Sequence, residues 1–135
     1  MGYRIDEIEG IGPSFKEKLG AGGIATTDDL LKECASKKGR DTTSEKTGVS
    51  APQLLKFANM ADLMRVSGVA RQNAELLKFA GVDTIKELRT RNAENLAEKM
   101  KAVNDEKKLA KVSPAASVVQ GWIDAAKDLE PMITH

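Results

Sequence analysis

Two glycine-bearing phrases in this chain have the residue types and spacing to bind an anion. Gly10-Ile11-Gly12-Pro13-Ser14 and Gly68-Val69-Ala70-Arg71 each interrupt a periodic apolar pattern and lead directly into a new helix. Amides at a helix start have no intrahelical acceptor, and the helix dipole favours negative charge there. A phosphate is the natural occupant, held by the amides around Ile11 to Ser14 and by their counterparts around Gly68, Val69 and Ala70. Lys16 and Lys18 would supply charge within a turn of the first phrase, and Arg65 and Arg71 flank the second. Lys37-Lys38-Gly39-Arg40 forms a compact basic run that could touch a nucleic-acid backbone. Such contacts carry affinity without reading bases. Each feature also has a plainer reading. The glycines can serve only a tight reversal with Ile11 as a core plug, the arginines a solvated face, and the basic run a soluble connector. Asp6, Glu7 and Glu9 beside the first phrase would repel a phosphate, whereas Ser67 stands where Glu9 does in the second.

Other chemistry has little to stand on. The single His is His135, and no Ser-His-Asp set can be drawn. Cys34 is alone, so no intrachain disulfide and no zinc site of ordinary ligand type can form. Acidic pairs such as Asp28-Asp29 sit where a helix first turn welcomes them. The expectation is a protein without catalytic residues, cofactor or metal. The 135 residues are 41% hydrophobic and 30% charged, with a net charge of +1. That composition is globular and excludes a strongly basic polyelectrolyte. Charge is nonetheless uneven: residues 1–34 are acidic and residues 63–101 mildly basic. No apolar run reaches membrane-spanning length, and no secretory h-region follows the N-terminus, so a reducing cytoplasm is the expected compartment.

The elements that must position these phrases repeat. At an offset of 58 positions Gly10 meets Gly68, Glu17 meets Glu75, Leu19 meets Leu77, Gly23 meets Gly81, Thr26 meets Thr84 and Leu30 meets Leu88. Capping patterns start at Thr26, Thr84, Thr42 and Ser50, and Ser113-Pro114 reads as a cap with a first-turn proline. Gly23, Gly48 and Gly81 read as helix stops. The pattern predicts short helices over 4–9, 13–20, 27–36, 43–47, 51–60, 62–65, 70–79, 85–91, 93–103 and 114–129, with no strand. This is an all-α chain forming a single compact domain over 1–135. Pseudo-repeat units cover about 3–36 and 61–92, a weaker hairpin unit covers 42–60, and helix 114–129 closes the core. Residues 36–42 read as the loop between halves, Cys34 and Trp122 as core residues, and residues 132–135 as a frayed end.

Ile5-x-x-Ile8-x-Gly10-Ile11-Gly12-Pro13, followed by Leu19, resembles the helix-hairpin-helix motif of DNA repair and recombination proteins. The longer pattern is similar to a bacterial family of unknown function built from tandem helix-hairpin-helix units. It runs through Glu45-Lys46-Thr47-Gly48-Val49-Ser50, Ala61-Asp62-Leu63-Met64-Arg65-Val66, Ala80-Gly81-Val82-Asp83-Thr84, Glu87-Leu88 and Trp122-Ile123. The resemblance implies tandem helix-hairpin-helix repeats closed by a C-terminal helix. The chain departs from the motif at Lys16, where a small residue is usual, and at Ala70, where the second glycine belongs. The family resemblance implies little about activity, but the hairpin amides, the flanking basic residues and the analogy to the repair motif give the expectation of weak, sequence-nonspecific binding of double-stranded DNA. The alternative is a protein-interaction or scaffolding module, with the opposed charges of the two halves favouring a protein partner or a homo-oligomer.

Overall fold

The computed structural model describes residues 2–135, which form eight α-helices and a short 3-10 turn, with no strand among them. The turn spans Ile5–Glu7, and the helices are α1 (Pro13–Ala21), α2 (Thr27–Cys34), α3 (Lys37–Thr47), α4 (Ala51–Leu63), α5 (Arg71–Phe79), α6 (Ile85–Arg89), α7 (Ala93–Lys107) and α8 (Ala116–Lys127). The chain divides into two compact units. One runs up to Asp62 and includes Met132–His135; the other is Leu63–Pro131.

In the first unit, local chemistry sets the helix starts. Pro13 opens α1, where its missing N–H costs nothing. Thr26 and Asp29 form a reciprocal capping box at the start of α2. The Thr26 hydroxyl accepts from the Asp29 amide, and the Asp29 carboxylate accepts from the amides of Ala25 and Thr26, all at 3.1 Å. These bonds, the one from Ala25 foremost, hold the Asp29 carboxyl below the usual carboxylate range. Helix α2 then buries Leu30, Leu31 and Cys34, and packs against α3. Burial pushes the Cys34 thiol up in pKa, as suits a small core hydrophobe.

Helix α3 corrects the expected loop at residues 36–42. Ser36 caps it by accepting from the Gly39 amide at 3.0 Å, so Thr42 and Glu45 lie inside a helix instead of opening one. Arg40 is the reason the segment is ordered. Its side chain is buried, and its guanidinium donates to the carbonyls of Cys34 (3.1 Å), Ala35 (3.1 Å) and Thr134 (2.7 Å). The last of these acceptors belongs to the stretch expected to fray. That stretch is tied down instead: Thr134 N–H donates to Ala35 O at 2.8 Å, Met132 N–H donates to the Asp62 carboxylate at 3.1 Å, and Ile133 is buried.

In the second unit, α5 packs on α7, and both α6 and α7 pack on α8. Thr84 caps α6 by accepting from the Glu87 amide at 3.1 Å, but the Glu87 carboxylate turns to Arg91 rather than back to the cap. Helix α8 buries Val119, Trp122, Ile123 and Ala126, and closes this core as its apolar stripe predicts. It starts at Ala116, later than Ser113-Pro114 suggested, because the Ser113 hydroxyl accepts from the buried Asn104 amide group instead. The carbonyls at its far end are held by arginine: Arg89 donates to Ala126 O at 2.8 Å and to Leu129 O, and Arg65 donates to Glu130 O at 3.0 Å.

Candidate nucleic-acid interface

The two glycine phrases adopt the same backbone. Gly10 and Gly68 have φ of +93° and +92°. The residues that open α1 and α5, Gly12 and Ala70, have φ/ψ of −89°/−172° and −94°/−168°. The main-chain bonds also correspond one to one. Ile11 N–H donates to Ile8 O at 3.1 Å, and Val69 N–H to Val66 O at 3.0 Å. Lys16 N–H donates to Gly12 O and Ala74 N–H to Ala70 O, both at 2.9 Å. At the far ends of the helices Ile24 N–H reaches Leu19 O at 2.9 Å, and Val82 N–H reaches Leu77 O at 2.8 Å. Ala70 occupies its position without strain because only the first glycine of the phrase needs positive φ.

This geometry sorts the amides. Ile11 and Val69 do not offer theirs, since each is spent inside its own turn, and both side chains are buried. Among the described residues, no acceptor lies within hydrogen-bonding distance of the amides of Gly12, Ser14 and Phe15 in the first turn, nor of Ala70, Arg71, Gln72 and Asn73 in the second. Those groups face the start of α1 and α5, where a phosphate would complete them. The third hairpin, Thr47-Gly48-Val49-Ser50, differs. There the Val49 amide donates to the Thr47 hydroxyl and Ser50 accepts from the Gln53 amide, so α4 is capped by its own side chain.

The flanking cations fare unequally. Lys16 donates to the Asp6 carboxylate at 3.2 Å, a bond that lowers the Asp6 pKa, and Lys18 lies 5.9 Å from the Phe15 ring centre. Lys37 and Lys38 are exposed in the first turn of α3. Arg40 lies beside them in sequence but in the core, its charge committed to three carbonyls, so the expected basic finger loses its arginine. Arg65 holds Glu130 O. Arg71 pairs with Glu75 at 3.4 Å while remaining half exposed at the first position of α5. Lys37, Lys38 and Arg40 belong to the first unit, and Arg65 and Arg71 to the second.

Two supporting residues escaped the sequence reading. Asn73 donates to Gly68 O at 3.1 Å and braces the second turn, where the first unit has Phe15. The Trp122 indole lies against Gly68, so close that a Cβ there would meet Nε1 at 3.0 Å. Asn73 could have been noticed as a polar residue replacing an aromatic one within the repeat. Trp122 is distant in sequence and carried no such signal. Among the described residues no group of three or more His, Cys, Asp or Glu side chains is arranged to hold a metal, and no helix is long and apolar enough to cross a membrane.

Residues 9–129 match the model of a protein family described as a domain of unknown function, DUF4332. No curated protein and no solved structure matches the chain.

Proposed function

The chain belongs to the DUF4332 family, and from its own geometry we propose that its two matched turns are helix-hairpin-helix units that bind double-stranded DNA without sequence preference. The observation that carries the reading is the agreement of the two turns in dihedral angles and main-chain bonds, each leaving a set of unpartnered amides at the first turn of a helix. The second turn is the stronger site. It offers one amide more than the first, because Arg71 stands where Pro13 does, and it places the Arg71 guanidinium at the helix start. It also has Ser67 in place of Glu9. Gly12, Ser14 and Lys16 form the weaker counterpart, with Lys16 shared with Asp6. Few phosphates are engaged and the chain is almost neutral, so affinity at physiological salt belongs near 10⁻⁴ M, the weak end of nonspecific binding.

The test is fluorescence anisotropy of a short labelled duplex at low salt, repeated across a salt series. Binding should weaken with salt, with a log–log slope of about −0.9 for each phosphate engaged. The discriminating variant is Ala70→Asp. Its carboxylate would cap α5, accept the amides intended for phosphate, and repel the ligand. Duplex binding should disappear while thermal stability holds or rises. Duplex affinity unchanged by Ala70→Asp, or insensitive to salt, would refute the proposal.

A further inference from the structure

The second unit carries a cationic cluster that its repeat partner lacks. Phe79, the last residue of α5, is 41% exposed. Lys107 Nζ and Lys78 Nζ lie over its ring, 4.5 Å and 5.5 Å from the centre. Two residues on, Gly81 lies beneath Arg91, whose guanidinium donates to Gly81 O at 3.1 Å, and beside Lys99; a Cβ at Gly81 would meet Arg91 Nη2 at 3.2 Å and Lys99 Nζ at 3.7 Å. Lys99 and Lys107 sit on α7 two turns apart, about 12 Å along the axis. The cluster thus follows α7 past the end of α5 and its outgoing turn. Glu87 offsets Arg91 in part, at 3.1 Å.

The scaffold does not require these residues. At the 58-residue offset the first unit has Gly20 for Lys78, Ala21 for Phe79 and Glu33 for Arg91, and it makes the same helix end and the same outgoing turn. Complementing a helix C-terminus accounts for one lysine near the end of each helix. It does not account for an exposed aromatic ring that carries two lysines, with Arg91 and Lys99 at the adjoining turn.

We infer that Phe79, Lys78, Arg91, Lys99 and Lys107 form a binding site for single-stranded nucleic acid, in which a base takes the place of a lysine ammonium over the Phe79 ring and the displaced lysine and its neighbours hold the adjoining phosphates. A free base has the π-face that can replace an ammonium group over the ring, and a flexible strand can bring its phosphates to the amines beside it. Duplex bases are already stacked and cannot use Phe79. The site lies at the opposite end of α5 from the Gly68 turn and does not rest on the hairpin reading.

The test uses the full chain and a fluorescein-labelled homothymidine oligonucleotide of roughly 12 nucleotides. The oligonucleotide should bind at low salt and shift the amide resonances of residues 78–81, 99 and 107. Phe79→Ala should weaken binding by about 5- to 150-fold, and Phe79→Tyr should keep most of it. Lys99→Glu and Lys107→Glu should each weaken binding and flatten the salt slope by about 0.7 or more. Phe79 is a surface residue, so an unchanged melting curve certifies that Phe79→Ala remains folded. Oligonucleotide binding that ignores Phe79→Ala overturns the inference, as does no binding at low salt. Equal affinity for polyglutamate overturns it too, since an acidic peptide needs the cations but not the ring. The two readings fail separately, because duplex affinity answers to Ala70→Asp and oligonucleotide affinity to Phe79→Ala.

Discussion

Alanine in place of each glycine of the two turns should produce a graded loss that follows the local geometry. At Gly68 two costs combine. A φ of +92° lies outside the regions an L-residue occupies comfortably, which costs about 1–2 kcal/mol. The new Cβ would also sit 3.0 Å from Trp122 Nε1, and the indole is buried in α8 with little room to retreat. Forcing it off its rotamer adds roughly 1 kcal/mol. Gly68→Ala should therefore destabilise the second unit by about 2–3 kcal/mol. At Gly10 the backbone term is the same, with φ of +93°, but the nearest atom, Phe57 Cε1, is at ordinary contact distance, 3.4 Å. The loss there should be about 1–2 kcal/mol. Gly12 has φ of −89° and nothing within 4 Å of a Cβ, and Ala70 already fills the matching position. Gly12→Ala should change stability by no more than about 0.5 kcal/mol, and the smaller entropy of the unfolded chain pushes it towards gain. Urea unfolding measures all three. Trp122, the only tryptophan, reports on the second unit by fluorescence, and circular dichroism follows the whole chain. A loss of 2–3 kcal/mol moves the midpoint by roughly 1 M or more. If Gly68→Ala and Gly12→Ala unfold at the same urea concentration, the assignment of strain to the first glycine of each turn is refuted.

Arg40→Met should cost about 2–4 kcal/mol, because it takes the guanidinium from the carbonyls of Cys34 and Thr134 and leaves Ala35 O with only its Thr134 donors, and hydrogen exchange at the Thr134 amide should quicken. Thr26→Ala removes the cap of α2 and should cost about 1 kcal/mol by chemical denaturation. Asp29 has a folded pKa below its unfolded value. Its contribution is therefore complete above the ordinary carboxylate range and lost as pH falls through the depressed value, and Asp29→Asn should flatten that acid limb in melting curves taken from roughly pH 6 to pH 2. The Cys34 thiol should resist alkylation at neutral pH in the folded protein and react promptly in denaturant, and rapid modification under native conditions would contradict its burial.

The repeat was legible because it is written in local chemistry. A glycine at positive φ, a Thr cap three residues before an acid, and leucines at helical spacing each act within a few residues, and all recur at one offset. Helix α3 was legible only over residues 43–47, and its first half was not, because Lys37–Thr47 has no apolar stripe to betray it. Its inward face is Arg40 and Thr43, and an arginine is buried only when acceptors arrive from elsewhere in the chain. The same distant carbonyl at Thr134 hid the order of the last residues. Ser113 illustrates the reverse error: a residue with sound capping chemistry was claimed by Asn104 from nine positions away, and the helix began further on. At the candidate interface the turns could be read from sequence, but the division of their amides could not. That Ile11 and Val69 spend theirs internally follows from the curvature of the turn.

Residues 132–134 rejoin the unit formed by the first 62 residues, and Arg40 takes one of its three acceptors from them. During synthesis, then, that unit completes its contacts only after residues 132–134 have been made. Until Thr134 clears the ribosome, the Arg40 guanidinium is short of a carbonyl, whereas Leu63–Pro131 holds all its own parts once Pro131 has emerged. A segment translated after the second unit thus supplies the first with its last hydrogen bonds.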